Sequence, residues 1–275
     1  MSGLLITGSS GYLGSELMRR APDATGTYLT AEPPGAVQLD VRDEAAVMRL
    51  VGDLRPDAVI HTAYSEAADD TAREVNVDGA RHVATAAAEV GAQLVHVSTD
   101  LVFDGELGRP YSEGDEPRPI MEYGRQKLAG EEAVHEALAS ALVVRTSLIY
   151  GGAEPSRHER AVLEAADGAS ATRFFSDELR SPVQVGDLAA ALLVLANADA
   201  TGVLHVAGAE GVSRHEFARL VAAAAGRDPD VLESALAAEH PDPRPRDCRL
   251  DSSRARARGG VELCGVRDVL AAPPR

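Results

Sequence analysis

Positive charge is scarce in this sequence. Its 275 residues carry 27 lysines and arginines against 43 aspartates and glutamates, a formal net charge of −16. Holding nucleic acid or an anionic membrane takes a basic face, so both classes of partner are excluded, and any anionic ligand must find a local patch. Long apolar runs are missing as well. None approaches 18 residues, and the first residues show neither a charged n-region nor an apolar h-region, so a cytoplasmic protein without a membrane span is expected. Cysteine is limited to Cys248 and Cys264, far from any metal-ligand spacing. In a reducing compartment they are free thiols, and no metal site is expected. Tryptophan is absent. Lysine nearly is: Lys127 is the only one among the 27 basic residues.

What is present has the ordinary balance of a globular protein, 45% hydrophobic and 25% charged, and is long enough for one large α/β domain or two linked ones. The stretch from Val97 to Lys127 carries the chemistry. The apolar Leu94, Val95 and Val97 run into the hydroxyls of Ser98 and Thr99, which predicts a parallel strand ending where open α/β sheets bind ligands. Tyr123 and Lys127 follow on a segment whose helix formers run over 126–139, with an acidic pair at Glu131 and Glu132. Four residues apart, phenol and ammonium share one helix face. A free tyrosine titrates near ~10, so it relays protons at neutral pH only when a neighbouring positive charge stabilises its anion. Such a pair arises by chance on many solvated helices. Here it uses the sole lysine, and an arginine's planar fork does not replace a compact ammonium that must reach both a phenol and a sugar hydroxyl.

Upstream, residues 3–7 form an apolar strand, then Gly8, Ser9, Ser10, Gly11, Tyr12, Leu13 and Gly14 lead into a helix over 15–20. Strand, glycine-rich turn and helix in that order make a phosphate cradle. A second strand over 25–30 ends at Tyr28-Leu29-Thr30-Ala31 with Glu32 the nearest acid, which tilts the cofactor to NADP(H) and leaves NAD(H) open. Asp40, beside Val41, either receives an adenine amino group or caps the amphipathic helix over 43–51. A buried strand over 58–61 delivers Thr62, Ala63 and Tyr64 to the ligand edge. His61 at its end reads as a histidine satisfied by backbone. Asn76, inside a helix over 72–90, either faces water or ties the loop after Ala63 in place. A further strand spans 141–147, and five strand-helix alternations predict a doubly wound parallel sheet.

The pattern then loosens. A short helix within 155–168, a strand over 172–175, a helix over 185–196, a strand over 203–207 and a helix over 213–226 follow, the last with Ser213 and Glu216 at capping-box spacing. Residues 239–258 concentrate proline and arginine, including Arg244, Arg246, Arg249, Arg254, Arg256 and Arg258, which fits either a diphosphate clamp or a solvated tail.

These residues resemble the extended short-chain dehydrogenases and, among them, the family of dTDP-4-dehydrorhamnose reductase and its sugar-nucleotide-binding relatives. Gly8, Gly11 and Gly14 fall on the family's cofactor turn, Asp40 and Val41 on its adenine contact, His61-Thr62-Ala63 on its fourth-strand motif and Asn76 on its helix asparagine. Ser98-Thr99-Asp100, followed by Val102-Phe103-Asp104-Gly105, matches its signature string with Leu101 where tyrosine is usual. Arg145-Thr146-Ser147 and Arg244-Pro245 with Leu250-Asp251 match later motifs.

The resemblance implies a Rossmann domain at 1–152, with residues 182–207 returning to it, and a smaller α/β substrate domain at 153–275. It implies reduction of a keto group on a nucleotide sugar. Thr99, Tyr123 and Lys127 would be catalytic; Gly8, Ser10, Gly11, Tyr12, Leu13, Gly14, Asp40, Val41, Thr62, Ala63, Tyr64, Tyr123 and Lys127 would hold the cofactor; Asp100, Val102, Phe103, Arg180 and Arg244 would meet the substrate. A homodimer stays open. Sugar-facing parts depart from the pattern: Leu148 replaces a tryptophan, residues 65–69 are shortened, Arg157-His158-Glu159-Arg160 replaces an asparagine-phenylalanine segment, and residues 177–183 differ. The same architecture also serves sugar-nucleotide epimerases, ketoreductases of secondary metabolism and non-catalytic subunits such as the β subunit of methionine adenosyltransferase.

Overall fold

A computed structural model describes residues 3–67, 69–258 and 260–271. Residue 68, inside the shortened segment at 65–69, lies outside them. Two compact units emerge, each built from several chain segments: residues 1–99, 122–145 and 189–204 form the first, residues 100–121, 146–188 and 205–275 the second.

The first unit is a seven-stranded sheet. Its strands are β1 (Leu4–Thr7), β2 (Thr25–Tyr28), β3 (Val37–Gln38), β4 (Ala58–His61), β5 (Gln93–Thr99), β6 (Leu142–Thr146) and, after four short strands of the other unit, β11 (Gly202–His205). Their spatial order is β11-β6-β5-β4-β1-β2-β3. Order reverses between β1 and β4, which pair in parallel with Thr7 opposite His61, so a ligand crevice opens beyond these two ends. Every residue of β1 and β4 is buried, as expected for strands covered on both faces.

Helices α1 (Tyr12–Arg20), α2 (Glu44–Leu54), α3 (Asp70–Arg73), α4 (Ala80–Val90) and α5 (Glu122–Ala137) belong to this unit. Between α3 and α4 the chain widens into a π-helical turn, Glu74–Gly79, the kind of irregularity that marks functional helices. Alanines 80, 84 and 87 are wholly buried, which lets α4 lie close in a core with Val59, Leu94 and Val143. At the crossing of α5 with the π turn, a side chain at Gly130 would stand 2.3 Å from the Asn76 carbonyl oxygen. Only glycine permits that approach.

In the second unit, α6 (Arg157–Ala166) and α8 (Arg214–Ala224) pack round Tyr150, Phe174, Phe217 and Val266; α7 (Val185–Ala196) lies between them in sequence. Short strands pair two by two: β7 (Ile149–Tyr150) with β10 (Val183–Gln184), β9 (Leu179–Arg180) with β12 (Val212–Ser213), and β8 (Phe174–Phe175) with β13 (Ser234–Ala235). The predicted capping box at Ser213 is only half formed: its hydroxyl accepts from the Glu216 amide at 3.0 Å, while the Glu216 carboxylate turns to Arg267. The complete box stands at Ser156 and Glu159.

Candidate active site

The glycine turn leaves no room for side chains at Gly8 and Gly14. Gly8 has φ +74, and a Cβ there would sit 2.8 Å from the Ala63 amide nitrogen. At Gly14 a Cβ would sit 2.2 Å from the Gly8 carbonyl oxygen, so the turn closes directly on the first turn of α1 and on the chain leaving β4. Gly11 caps α1 without a side chain, leaving its amide groups to a ligand anion. A dinucleotide's diphosphate fits this cradle. Ser10 is exposed at its lip and Tyr12 half-buried, whereas the Leu13 side chain points into the core and offers a ligand only its backbone. Thr62 is spent on structure, its hydroxyl donating to the Thr7 carbonyl at 2.7 Å. Tyr64 is half exposed, its ring centroid 6.3 Å from that of Tyr123.

Asp40 does not cap a helix. Asp43 does, accepting from the Ala46 amide at 2.9 Å. The Asp40 carboxylate is forked by the Arg42 guanidinium at 2.9 and 2.6 Å, and this ion pair holds it below the usual carboxylate range. Val41 is buried against Gly79. Asn76 takes the second of its two predicted options. It accepts from the Ser65 amide at 3.0 Å, donates to the Ser65 carbonyl at 2.7 Å, and also donates to the Gln126 side-chain oxygen at 3.0 Å. One asparagine thus ties the loop after β4 to the helix turn next to Lys127.

Tyr123, Lys127 and Glu131 follow one another at four-residue steps on α5. Lys127 is 2% exposed, and its ammonium donates to the Val97 carbonyl at 2.9 Å and lies 3.5 Å from Nε2 of His96. Burial pulls its pKa down to about 8, against the opposing field of Glu131. Glu131 is buried too. Its carboxylate accepts from the Ser98 hydroxyl at 2.5 Å and from Arg145 at 3.1 and 2.7 Å, joining the end of β5, the middle of α5 and the end of β6. Thr99, next to Ser98, is therefore held on a fixed strand end. Glu131 was legible in sequence only as half of an acidic pair; its place one step beyond Tyr123 and Lys127 was the available signal.

Two histidines lie under this set. His61 and His96 are register partners on β4 and β5, with ring centroids 5.2 Å apart. His61 meets not a backbone group, as expected, but the Thr7 hydroxyl at 2.6 Å from Nδ1, and its Nε2 is buried without a hydrogen-bond partner. Burial, then the Lys127 charge, drives the pKa of His61 to about 3 and that of His96 well below its ordinary 6.5. Both rings are neutral in the fold. As pH falls below 6.5 the unfolded chain takes up protons that the folded one refuses, so stability drops by up to ~1.4 kcal/mol per pH unit for each ring, down towards the folded pKa. We expect the urea midpoint to fall steeply as pH drops from about 6.5 towards about 4, and a flat midpoint would show that these rings protonate in the native state.

The second unit holds the residues expected to meet substrate. Val102 and Phe103 have no exposed surface, and Phe103 stacks on Tyr111 at 4.0 Å, so these two side chains are core rather than ligand contacts. Asp100 accepts from the Ser147 hydroxyl at 2.6 Å and lies 3.8 Å from Arg180. Arg244 donates to Glu178 at 2.5 Å. Of the remaining arginines in the proline-rich segment, Arg246 pairs with exposed Glu106 and Arg249 with Asp247. The segment is not all solvated tail: Arg244 pairs with the wholly buried Glu178 and Arg249 with the buried Asp247.

A doubly wound sheet with a glycine cradle at its switch point and a tyrosine-lysine helix beside it defines a dinucleotide-dependent oxidoreductase of the short-chain dehydrogenase type. The family model described as RmlD substrate binding domain matches residues 1–272, and the chain belongs to that family. A dTDP-4-dehydrorhamnose reductase of Mycobacterium tuberculosis is 40% identical over 252 residues, 88% of this chain and 82% of the relative. Another, of Mycolicibacterium smegmatis, is 37% identical over 97% of this chain and 83% of its own length. Among solved structures, the dTDP-4-dehydrorhamnose reductase of Bacillus anthracis in complex with NADP superposes with a TM-score of 0.84 at 27% identity, covering 98% of this chain and 97% of that one.

Proposed function

We propose that this protein reduces the 4-keto group of a nucleotide-linked 6-deoxyhexose at the expense of NADPH. The observation that carries the reading is the buried Lys127 ammonium one helical turn from Tyr123, on the unit that also holds the glycine cradle. When bound, NADPH supplies the hydride. The chain supplies the rest. Gly8, Gly11 and Gly14 admit the diphosphate; Tyr123 donates its proton to the oxygen of the reacting carbonyl; Thr99 holds that oxygen; and Lys127, still protonated at neutral pH, stabilises the phenolate left behind and meets the nicotinamide ribose. Glu32 is the acid nearest the end of β2, and NADPH is the cofactor consistent with the complexed relative. A merely cofactor-binding subunit has no use for a lysine buried at this cost beside a tyrosine.

Incubation with NADPH or NADH and a panel of 4-keto nucleotide sugars, followed by the loss of reduced-nicotinamide absorbance, tests class, cofactor and substrate together. We expect NADPH to be consumed with a 4-keto-6-deoxyhexose nucleotide. Retention of tightly bound, unconsumed NAD through turnover would identify an epimerase instead.

A further inference from the structure

One of the two buried histidines of the first unit touches the ammonium of Lys127. An ammonium carries three N–H donors and no lone pair. That of Lys127 spends one donor on the Val97 carbonyl at 2.9 Å and turns a second to Nε2 of His96 at 3.5 Å. Facing a donor, this Nε2 is an acceptor, so the imidazole proton sits on Nδ1. A charged His96 would instead set two positive groups 3.5 Å apart in a dry interior with no acceptor between them. His96 is 1% exposed, and its Nδ1 is buried without a hydrogen-bond partner, a polar atom kept at a cost.

The surroundings fix that contact. His96 and Ser98 lie two apart on β5 and so share one face of the strand, where they meet Lys127 and Glu131, four apart on one face of α5. The His61 ring stacks on that of His96 at 5.2 Å and is itself anchored by the Thr7 hydroxyl at 2.6 Å. Titratable groups surround Lys127 from four elements: His61 on β4, His96 on β5, Arg145 on β6, and Tyr123, Glu131 and His135 on α5. Glu131 is the one carboxylate among them. It is taken up by Ser98 and Arg145, so it acts on the lysine through its field. Among the described residues, the acceptors in direct reach of the ammonium, Val97 and His96, both belong to β5.

We propose that His96 is a positioning residue for Lys127: its neutral Nε2 accepts one ammonium N–H while the Val97 carbonyl accepts another, which holds the amine in its charged form and leaves one N–H for the nicotinamide ribose. This rests on the reductase reading above. A histidine that only filled space between β5 and α5 would be replaceable by any apolar side chain of its size. One that holds a charge is replaceable only by another acceptor.

Because Lys127 is the only lysine of the chain, lysine labelled with carbon-13 at Cε gives a single resonance in the full-length, cofactor-free protein. Titration of that resonance from about pH 6.5 to about 10.5 should give a wild-type midpoint at about 8. His96→Phe and the smaller His96→Leu fill the ring's space without a lone pair and should lower the midpoint by about one unit, the loss expected for a hydrogen bond to a charged group. His96→Gln, whose amide oxygen takes the place of Nε2, should stay within about 0.3 unit of the wild type. Either apolar variant suffices, with folding checked by circular dichroism. The alkaline limb of kcat/KM for a 4-keto nucleotide sugar, which reports the free enzyme, should move with each midpoint. A midpoint that stays or rises in the apolar variants overturns the proposal, a rise meaning that His96 carried a like charge. A His96→Gln midpoint as low as theirs overturns it too, since packing and not the acceptor would then be at work. If the wild type turns over no nucleotide sugar while the midpoints still follow the acceptor, the function reading fails and the hold of His96 on Lys127 stands.

Discussion

Tyr123→Phe is expected to bind NADPH as the wild type does and to reduce substrate about 10²- to 10⁴-fold more slowly, the range for losing a positioned proton donor. The ring stays, so its packing near Tyr64 is kept and only the hydroxyl goes. Because the hydroxyl acts on charge that develops during the reaction, the loss should fall on kcat rather than on KM. Steady-state oxidation of NADPH, with cofactor binding measured separately, checks both halves. Wild-type turnover by the variant would remove Tyr123 from the mechanism.

A second large effect is expected from Glu131→Gln, read as a pH profile. In the proposed mechanism Lys127 works as an ammonium, and burial leaves its pKa at about 8, so wild-type turnover should decline as pH rises through that value. The Glu131 carboxylate opposes the decline by favouring the charged amine. Removing it lowers the lysine pKa, and the basic limb moves to lower pH; a shift of one unit leaves about five- to tenfold less protonated lysine on the alkaline side. The carboxylate also neutralises buried Arg145, whose isolation costs ~3–5 kcal/mol, so the variant will be less stable. Glu131→Gln combined with Arg145→Met relieves the stranded charge. Its limb should still lie below that of the wild type, because the amine has lost the Glu131 field that favours its charged form. Limbs that coincide in all three proteins, with folding verified by circular dichroism, would deny Glu131 any role in holding the charge of Lys127.

How far each part could be read in advance follows from the range of the forces involved. The turn from Gly8 to Gly14 and the pair Tyr123 and Lys127 are local: a few residues, with spacing set by one helix or one turn, place every atom that matters. Asn76 was half legible, because a tie to the nearby Ser65 loop was conceivable from sequence, whereas the bond to Gln126 joins residues 50 positions apart. The reciprocal cap expected at Ser213 was lost because a remote arginine, Arg267, competes for Glu216. Val102 and Phe103 sit in a motif that suggested ligand contact, and packing against Tyr111 and His205 decided otherwise.

By itself the sequence determined the alternation of strands and helices and the glycine turn between β1 and α1, since each depends on periodicity or on backbone geometry over a few residues. Tertiary structure alone decided which buried groups pair: Glu131 with Ser98 and Arg145, and Glu178 with Arg180 and Arg244. Such pairings join segments tens of residues apart, and a charge's partner in a dry interior is set by distance through space, which no local pattern encodes.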